Sequence, residues 1–247
     1  MFFIKEAGYI EGEPHFQKLP VVNTDPKARS WFFFPEKETG DWFYRSGFNE
    51  RALINWVLDT FIVPDKVFVD IGAHIGSYTF TCAKKAKHTY AFECSPRTFC
   101  YLCANLALHG LEYKVTPHAC ALGNRSGEIS YVVRSEDGGG NGVKPLESDN
   151  AGMHRVTVPM RTLDSFGISN IGCIKIDVEG FEKEVLEGAI ETLRGSGWPP
   201  LLFESWGTEC GTEKASLHRN LFAYLAGLGY QTQRLTGSTD MYLATHP

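Results

Sequence analysis

Apolar positions along the chain alternate between two periods. From Asn49 onward, Leu53, Ile54, Trp56, Val57, Leu58 and Phe61 recur at helical spacing and Pro64 closes the run, which predicts an amphipathic helix. Val67-Phe68-Val69-Asp70-Ile71 is a short β-rich run, two glycines turn the chain, and Thr79 to Lys85 suits a second helix. The pattern then repeats. Thr89-Tyr90-Ala91-Phe92 reads as a strand and Ser95-Pro96 as a cap with a first-turn proline. Phe99, Leu102, Cys103 and Leu106 share one face of the helix that follows, ending near Gly110. Strand, helix, strand, helix implies a parallel sheet.

The second half continues in the same style. A third strand is predicted at Val115 to Leu122, ended by Gly123-Asn124, then a β-rich run at Glu128 to Arg134 and a flexible polar loop from Ser135 to Gly142. Arg155 to Met160 alternates as a strand, and Leu163 to Phe166 opens a short helix or turn. Ile171 to Ile176 predicts the fourth strand, ending at Asp177. The spacing of Val185, Leu186, Ala189, Ile190 and Leu193 predicts a helix from Glu182 to Arg194 with Gly195 as its stop. Leu201 to Trp206 is a fifth strand and Ala215 to Leu228 a further helix. Tyr230 to Leu235 pairs with Met241 to Ala244 as a closing antiparallel hairpin. The expected fold is α/β, a doubly wound, mostly parallel sheet with an antiparallel C-terminal β-hairpin edge.

Residues 1–48 lack a sustained period but hold Trp31-Phe32-Phe33-Phe34-Pro35 and Asp41-Trp42-Phe43-Tyr44. We expect an aromatic-rich N-terminal extension that packs on or covers a main domain spanning 49–247. With 247 residues, 43% of them hydrophobic, the chain is long enough for one large domain and such an appendage.

A formal charge of -5 offers no global basic field for nucleic acid, so small or glycan substrates are favoured and no nucleic acid partner is expected. The seven cysteines are odd in number and scattered, and no cationic stretch precedes a long apolar segment. We therefore expect a cytoplasmic protein without a disulfide framework. No apolar run approaches the ~20 residues of a membrane span. Cys100 and Cys103 form C-x-x-C without a second pair, and read as small buried hydrophobes on a helix face rather than zinc ligands.

The turn after Asp70 carries the chemistry. A glycine-rich link between a buried strand and a helix lets the backbone approach a ligand and offers free N–H groups. Its spacing is D-x-G-x-x-x-G, which departs from the G-x-G-x-x-G that cradles a pyrophosphate. A carboxylate at Asp70 repels phosphate and attracts a cation, so the sulfonium of S-adenosylmethionine fits better than a nicotinamide or flavin nucleotide. Glu93, about twenty residues on, ends the second strand where a carboxylate can accept both hydroxyls of a ribose. The candidate cofactor contacts are Asp70, Gly72, Ala73, His74, Gly76, Ser77 and Thr79 in the turn. Glu93, Cys94 and Ser95 follow the second strand, and Ala121 and Leu122 close the third.

Val69-Asp70-Ile71-Gly72-Ala73-His74-Ile75-Gly76-Ser77-Tyr78-Thr79, Ala91-Phe92-Glu93-Cys94-Ser95-Pro96 and Lys175-Ile176-Asp177-Val178-Glu179-Gly180-Phe181-Glu182 resemble the FkbM family of S-adenosylmethionine-dependent methyltransferases. The likeness runs from about Glu50 to Trp206. It implies a Rossmann-like class I methyltransferase acting on hydroxyls, commonly of sugars or polyketide-type small molecules. His74 stands where the family usually has Asn, which places a titratable group near the methyl donor.

Methyl transfer to an alcohol needs oxygen, carbon and sulfur in line and a group to take the hydroxyl proton. Lys175, Asp177, Glu179 and Glu204 stand where the fourth and fifth strands end. In a strand, Lys175 and Asp177 share a face and can pair. Asp177 is the first candidate for the base or for orienting the acceptor, Glu204 the second, and Lys175 lends electrostatic support. Glu182 is expected to start its helix, where a negative charge suits the dipole. The carboxylates also resemble a divalent-metal site, although no metal is expected. The acceptor is expected to be a sugar or glycan hydroxyl, or else that of another small molecule. A nicotinamide-dependent oxidoreductase and a cofactor-binding module without catalysis are the competing classes, and the oligomeric state cannot be read.

Overall fold

The computed structural model describes residues 51–133, 154–206, 211–236 and 240–247, with the backbone of short strands elsewhere. Strands β1 (Phe3–Ile4), β2 (Ile10–Glu11), β3 (Val21–Asp25) and β4 (Ser30–Phe33) form two antiparallel pairs. The side chains of the aromatic N-terminal segment, whose packing was anticipated above, lie outside the described residues, and so does the polar loop at 135–141.

Helix α1 (Arg51–Phe61) leads into β5 (Val67–Ile71), α2 (Ser77–Ala83), β6 (His88–Phe92), α3 (Pro96–Leu108) and β7 (Val115–His118). Strands β8 (Ala121–Leu122), β9 (Gly127–Val133), β10 (Gly142–Val143) and β11 (His154–Arg161) follow, then a 3-10 turn at Leu163–Phe166 and β12 (Ile171–Ile176). Helices α4 (Glu182–Glu187) and α5 (Ile190–Gly195), strand β13 (Leu201–Glu204), helix α6 (Thr212–Gly227) and strands β14 (Gln231–Arg234) and β15 (Met241–Thr245) complete the chain.

The main sheet has the order β14-β15-β13-β12-β5-β6-β7, parallel except for the β15 and β14 edge. The chain steps outward from β5 to β7, then returns to place β12 beside β5 and steps the other way. Strand order therefore reverses between β5 and β12, which opens a crevice at their carboxyl ends. Both faces are covered. Val69, Ile71, Ile174, Ile176 and Phe203 pack on one side with Leu186, Leu193 and Leu225. Phe68, Cys173, Leu202 and Leu243 pack on the other with Ile54 and Val57 of α1. Burial on two faces explains why these strands are almost continuously apolar.

Three expectations are corrected. The run Val115 to Leu122 is two strands. β7 pairs with β6 and stops at His118, after which Ala121 and Leu122 pair in parallel with Met160 and Arg161 of β11. They belong to a second sheet of order β10-β9-β11-β8, and nothing local in the apolar run marks that departure. The helix from Glu182 to Arg194 is also two, broken at Gly188 and Ala189. A Cβ on Gly188 would stand 2.0 Å from the Gly123 carbonyl oxygen, so the chain bends to clear the loop after β8. On α3, Cys100 is exposed and Cys103 half-buried, because the helix turns Leu102 and Leu106 inward instead. The six described cysteines are unbridged, and no described helix is long and apolar enough to cross a membrane.

Candidate active site

The turn after β5 is held by the neighbouring strand. Gly72 N and Ala73 N both donate to the Phe92 carbonyl, at 3.0 and 2.9 Å. Gly72 has φ +76, and a Cβ there would lie 1.8 Å from the Asp177 carbonyl oxygen, so two loops meet where only glycine fits. His74 has φ 53, a left-handed conformation in which both Asn and His are enriched, so the two residues suit the same backbone. Gly76, at φ +102, precedes Ser77, the first residue of α2. Asn105, buried on α3, donates to the Ile75 carbonyl at 3.0 Å and ties the turn to that helix.

Asp70 has no exposed surface. Its Oδ2 accepts from Thr79 Oγ1 at 2.5 Å, and its Oδ1 makes no hydrogen bond and lies 3.7 Å from Lys175 Nζ. Burial pushes its carboxyl up, against the pull of Lys175 and Thr79. The charge expected to face a ligand thus acts from beneath the turn. Lys175 Nζ also donates to the Gly72 carbonyl at 2.7 Å and lies 3.3 Å from Asp177 Oδ2. One buried ammonium joins the glycine turn to the end of β12, as the shared strand face of Lys175 and Asp177 suggests.

Glu93 ends β6 and is nearly buried. Its Oε2 accepts from His74 N at 2.9 Å and its Oε1 from Ser95 N at 2.8 Å, while burial raises its carboxyl. The Ser95 hydroxyl faces the other way and caps α3 by accepting from Thr98 N at 3.3 Å. Cys94 is half-buried against Ala121, Tyr131 and Met160, and burial pushes its thiol up. Ala121 and Leu122 are buried in two different apolar clusters.

Beyond β12 the turn Asp177-Val178-Glu179-Gly180 carries two consecutive left-handed residues, Glu179 at φ 60 and Gly180 at φ 100. Glu182 holds this turn. Although it starts α4 as expected, its buried Oε1 folds back to accept from Val178 N and Gly180 N, both at 3.1 Å, and burial pushes its carboxyl up to about 7. The spacing from Val178 to Glu182 within D-V-E-G-F-E is the one sequence signal for this bond. Asp177, Glu179 and Glu204 each bring an oxygen within 4.8 Å of the others, an arrangement able to hold a cation. Glu204 is pushed up to about 10, first by burial and then by Asp177, Glu179 and Glu182. Sequence reasoning passed over Ser205, Trp206, Lys214 and His218, which line a groove beside these carboxylates.

A crevice at the strand-order reversal, a glycine turn closing β5 and an acidic residue just after β6 define a Rossmann-like cofactor-binding fold. The chain belongs to the FkbM family, since residues 70–232 match the Methyltransferase FkbM domain. Among curated relatives, it is 28% identical over 153 residues to the hexuronic acid methyltransferase AglP of Haloferax volcanii, covering 62% of each chain. It is 26% identical over 163 residues to Methyltransferase 1 of Beauveria bassiana, covering 57% of this chain and 65% of that one. The matches thus span less than two thirds of either relative. A solved FkbM methyltransferase from Methylobacillus flagellatus shares the fold at TM-score 0.52 and 18% identity, over 74% of this chain and 44% of that one. Precorrin-6y C5,15-methyltransferase from Geobacter metallireducens does so at TM-score 0.50 and 13% identity, over 81% and 90%.

Proposed function

We propose that the chain is an S-adenosylmethionine-dependent O-methyltransferase acting on a hydroxyl of a sugar or glycan. The observation that carries this reading is Lys175, which links a glycine turn of D-x-G-x-x-x-G spacing to an acidic cluster at the next strand ends. The chemistry of the donor set fits the cofactor. Each Glu93 oxygen accepts one amide and keeps a lone pair for a ribose hydroxyl. The backbone of Gly72, Ala73 and His74 and the carboxyl of Glu93 would hold it, with Asp70 supplying negative charge from below. When bound, S-adenosylmethionine supplies an electrophilic methyl group on a sulfonium. The hexuronic acid methyltransferase among the relatives supports a sugar acceptor. A net charge of -5 gives nucleic acid no general attraction, and seven scattered cysteines suit a cytoplasmic compartment.

Asp177 takes the acceptor's hydroxyl proton. Its carboxylate is about one-third exposed, and Lys175 fixes it from one side at 3.3 Å, leaving the other oxygen for the acceptor. Glu204, raised to about 10, keeps a proton at neutral pH and so donates a hydrogen bond instead of serving as base. Glu179 completes the cluster.

The test is incubation with labelled S-adenosylmethionine and a panel of monosaccharides and extracted glycans, scoring S-adenosylhomocysteine and methylated product. Asp177→Asn should lower turnover at least about 10²-fold while cofactor affinity stays within about tenfold. Stabilisation by NAD in place of S-adenosylmethionine, or no product with any saccharide, would overturn the reading.

A further inference from the structure

A groove of about 550 Å3, its open mouth included, lies between α4, α6 and the end of β13. Glu204 is among its lining residues, so the groove adjoins the carboxylate cluster. Trp206 forms one wall. A Cβ on Gly180 would stand 3.1 Å from Cζ3 of the indole and 3.2 Å from Leu217 Cδ1. The indole therefore rests on the same turn that carries Asp177 and Glu179. Lys214 Nζ sits over the face of the indole, 3.9 Å from its centroid. Glu184, Asn220 and His218 complete the rim, with His218 Nδ1 3.0 Å from Ser205 Oγ.

We infer that this groove is the acceptor subsite and takes a pyranose ring against Trp206, the Lys214 ammonium leaving the indole face to bond the ring's rim together with Asn220. The inference rests on the sugar acceptor proposed above. A pyranose presents a face of C–H groups edged by hydroxyls, and an aromatic face with donors and acceptors around it is the complementary surface. Lys214 supplies donors, Glu184 acceptors and Asn220 both. A nucleobase would stack equally well on an indole, but its phosphates would meet the Glu184 carboxylate of the lining.

The experiment titrates the intact chain with methyl β-D-glucoside, methyl β-D-glucuronide and AMP. Saturation-transfer NMR and tryptophan fluorescence report binding, and the thermal shift with S-adenosylmethionine is read in parallel. At least one glycoside should bind in preference to AMP. Trp206→Ala should weaken it about tenfold or more, Trp206→Phe should stay within about threefold, and Lys214→Gln should weaken it several-fold. The cofactor-induced shift should persist in all three variants. An unchanged Kd in both Trp206→Ala and Lys214→Gln would overturn the assignment, as would binding of AMP alone or of none of the three. Loss of the cofactor shift in the unmutated chain would instead remove the methyltransferase reading, so the two failures are distinct.

Discussion

Gly72 lets the turn after β5 and the turn after β12 meet with room for no more than a hydrogen atom between them. Gly72→Ala places a methyl group 1.8 Å from the Asp177 carbonyl oxygen at φ +76, so clash and backbone strain act together. Strain alone costs about 1–3 kcal/mol. We expect a lower Tm by thermal denaturation and no thermal shift with S-adenosylmethionine; a variant that keeps both would show that the loops can part cheaply. The three clustered carboxyls yield a second expectation at this scale. Lys175 at 3.3 Å from Asp177 and the proton retained by Glu204 already offset their repulsion. Turnover should therefore survive EDTA. A loss above about tenfold that Mg2+ restores would make Asp177, Glu179 and Glu204 a divalent-cation site.

Helix α5 begins where a distant side chain tells it to. Asp164, in the 3-10 turn after β11, accepts from Glu191 N at 3.2 Å and Thr192 N at 2.7 Å, capping the helix from 27 and 28 residues away. Asp164→Ala should destabilise the fold by about 0.5–2 kcal/mol with an unchanged urea m-value, since a cap is lost and no core is opened. That long-range cap also explains what the sequence could and could not reveal. Strands buried on two faces, the Ser95-Pro96 start of α3 and the shared face of Lys175 and Asp177 are local features, and all were legible. The break at Gly188, the transfer of Ala121 and Leu122 to a second sheet and the fold-back of Asn105 onto Ile75 each depend on a partner 30 or more residues away. Periodicity carries no information about such partners. The groove at Trp206 escaped notice for the same reason, because its walls come from three separate elements.

Taken whole, the molecule carries several carboxyls that burial raises above their ordinary values. Glu182 rises from 4.5 to about 7 and Glu204 from 4.5 to about 10, with Asp70 and Glu93 shifted in the same direction. Each raised group binds a proton in the folded chain at pH values where the unfolded chain has lost it. Its favourable contribution is complete below 4.5 and is lost as pH rises, through about 7 for Glu182 and about 10 for Glu204. The Glu182 shift alone corresponds to on the order of 3 kcal/mol. Tm should fall steadily between about pH 5 and 9, and Glu204→Gln should flatten the upper part of that slope. A level profile in the unmutated chain would contradict the burial of these groups. The Lys175 bridge has a further consequence, for how such a chain can diversify. Because one ammonium grips both Gly72 and Asp177, the floor beneath the proposed donor and acceptor sites is a single mechanical part, and altering it for a new acceptor would spoil the proposed seat of the donor. New acceptor preferences must then arise on the outer wall around Trp206 and α6, where side chains can be exchanged without disturbing that floor.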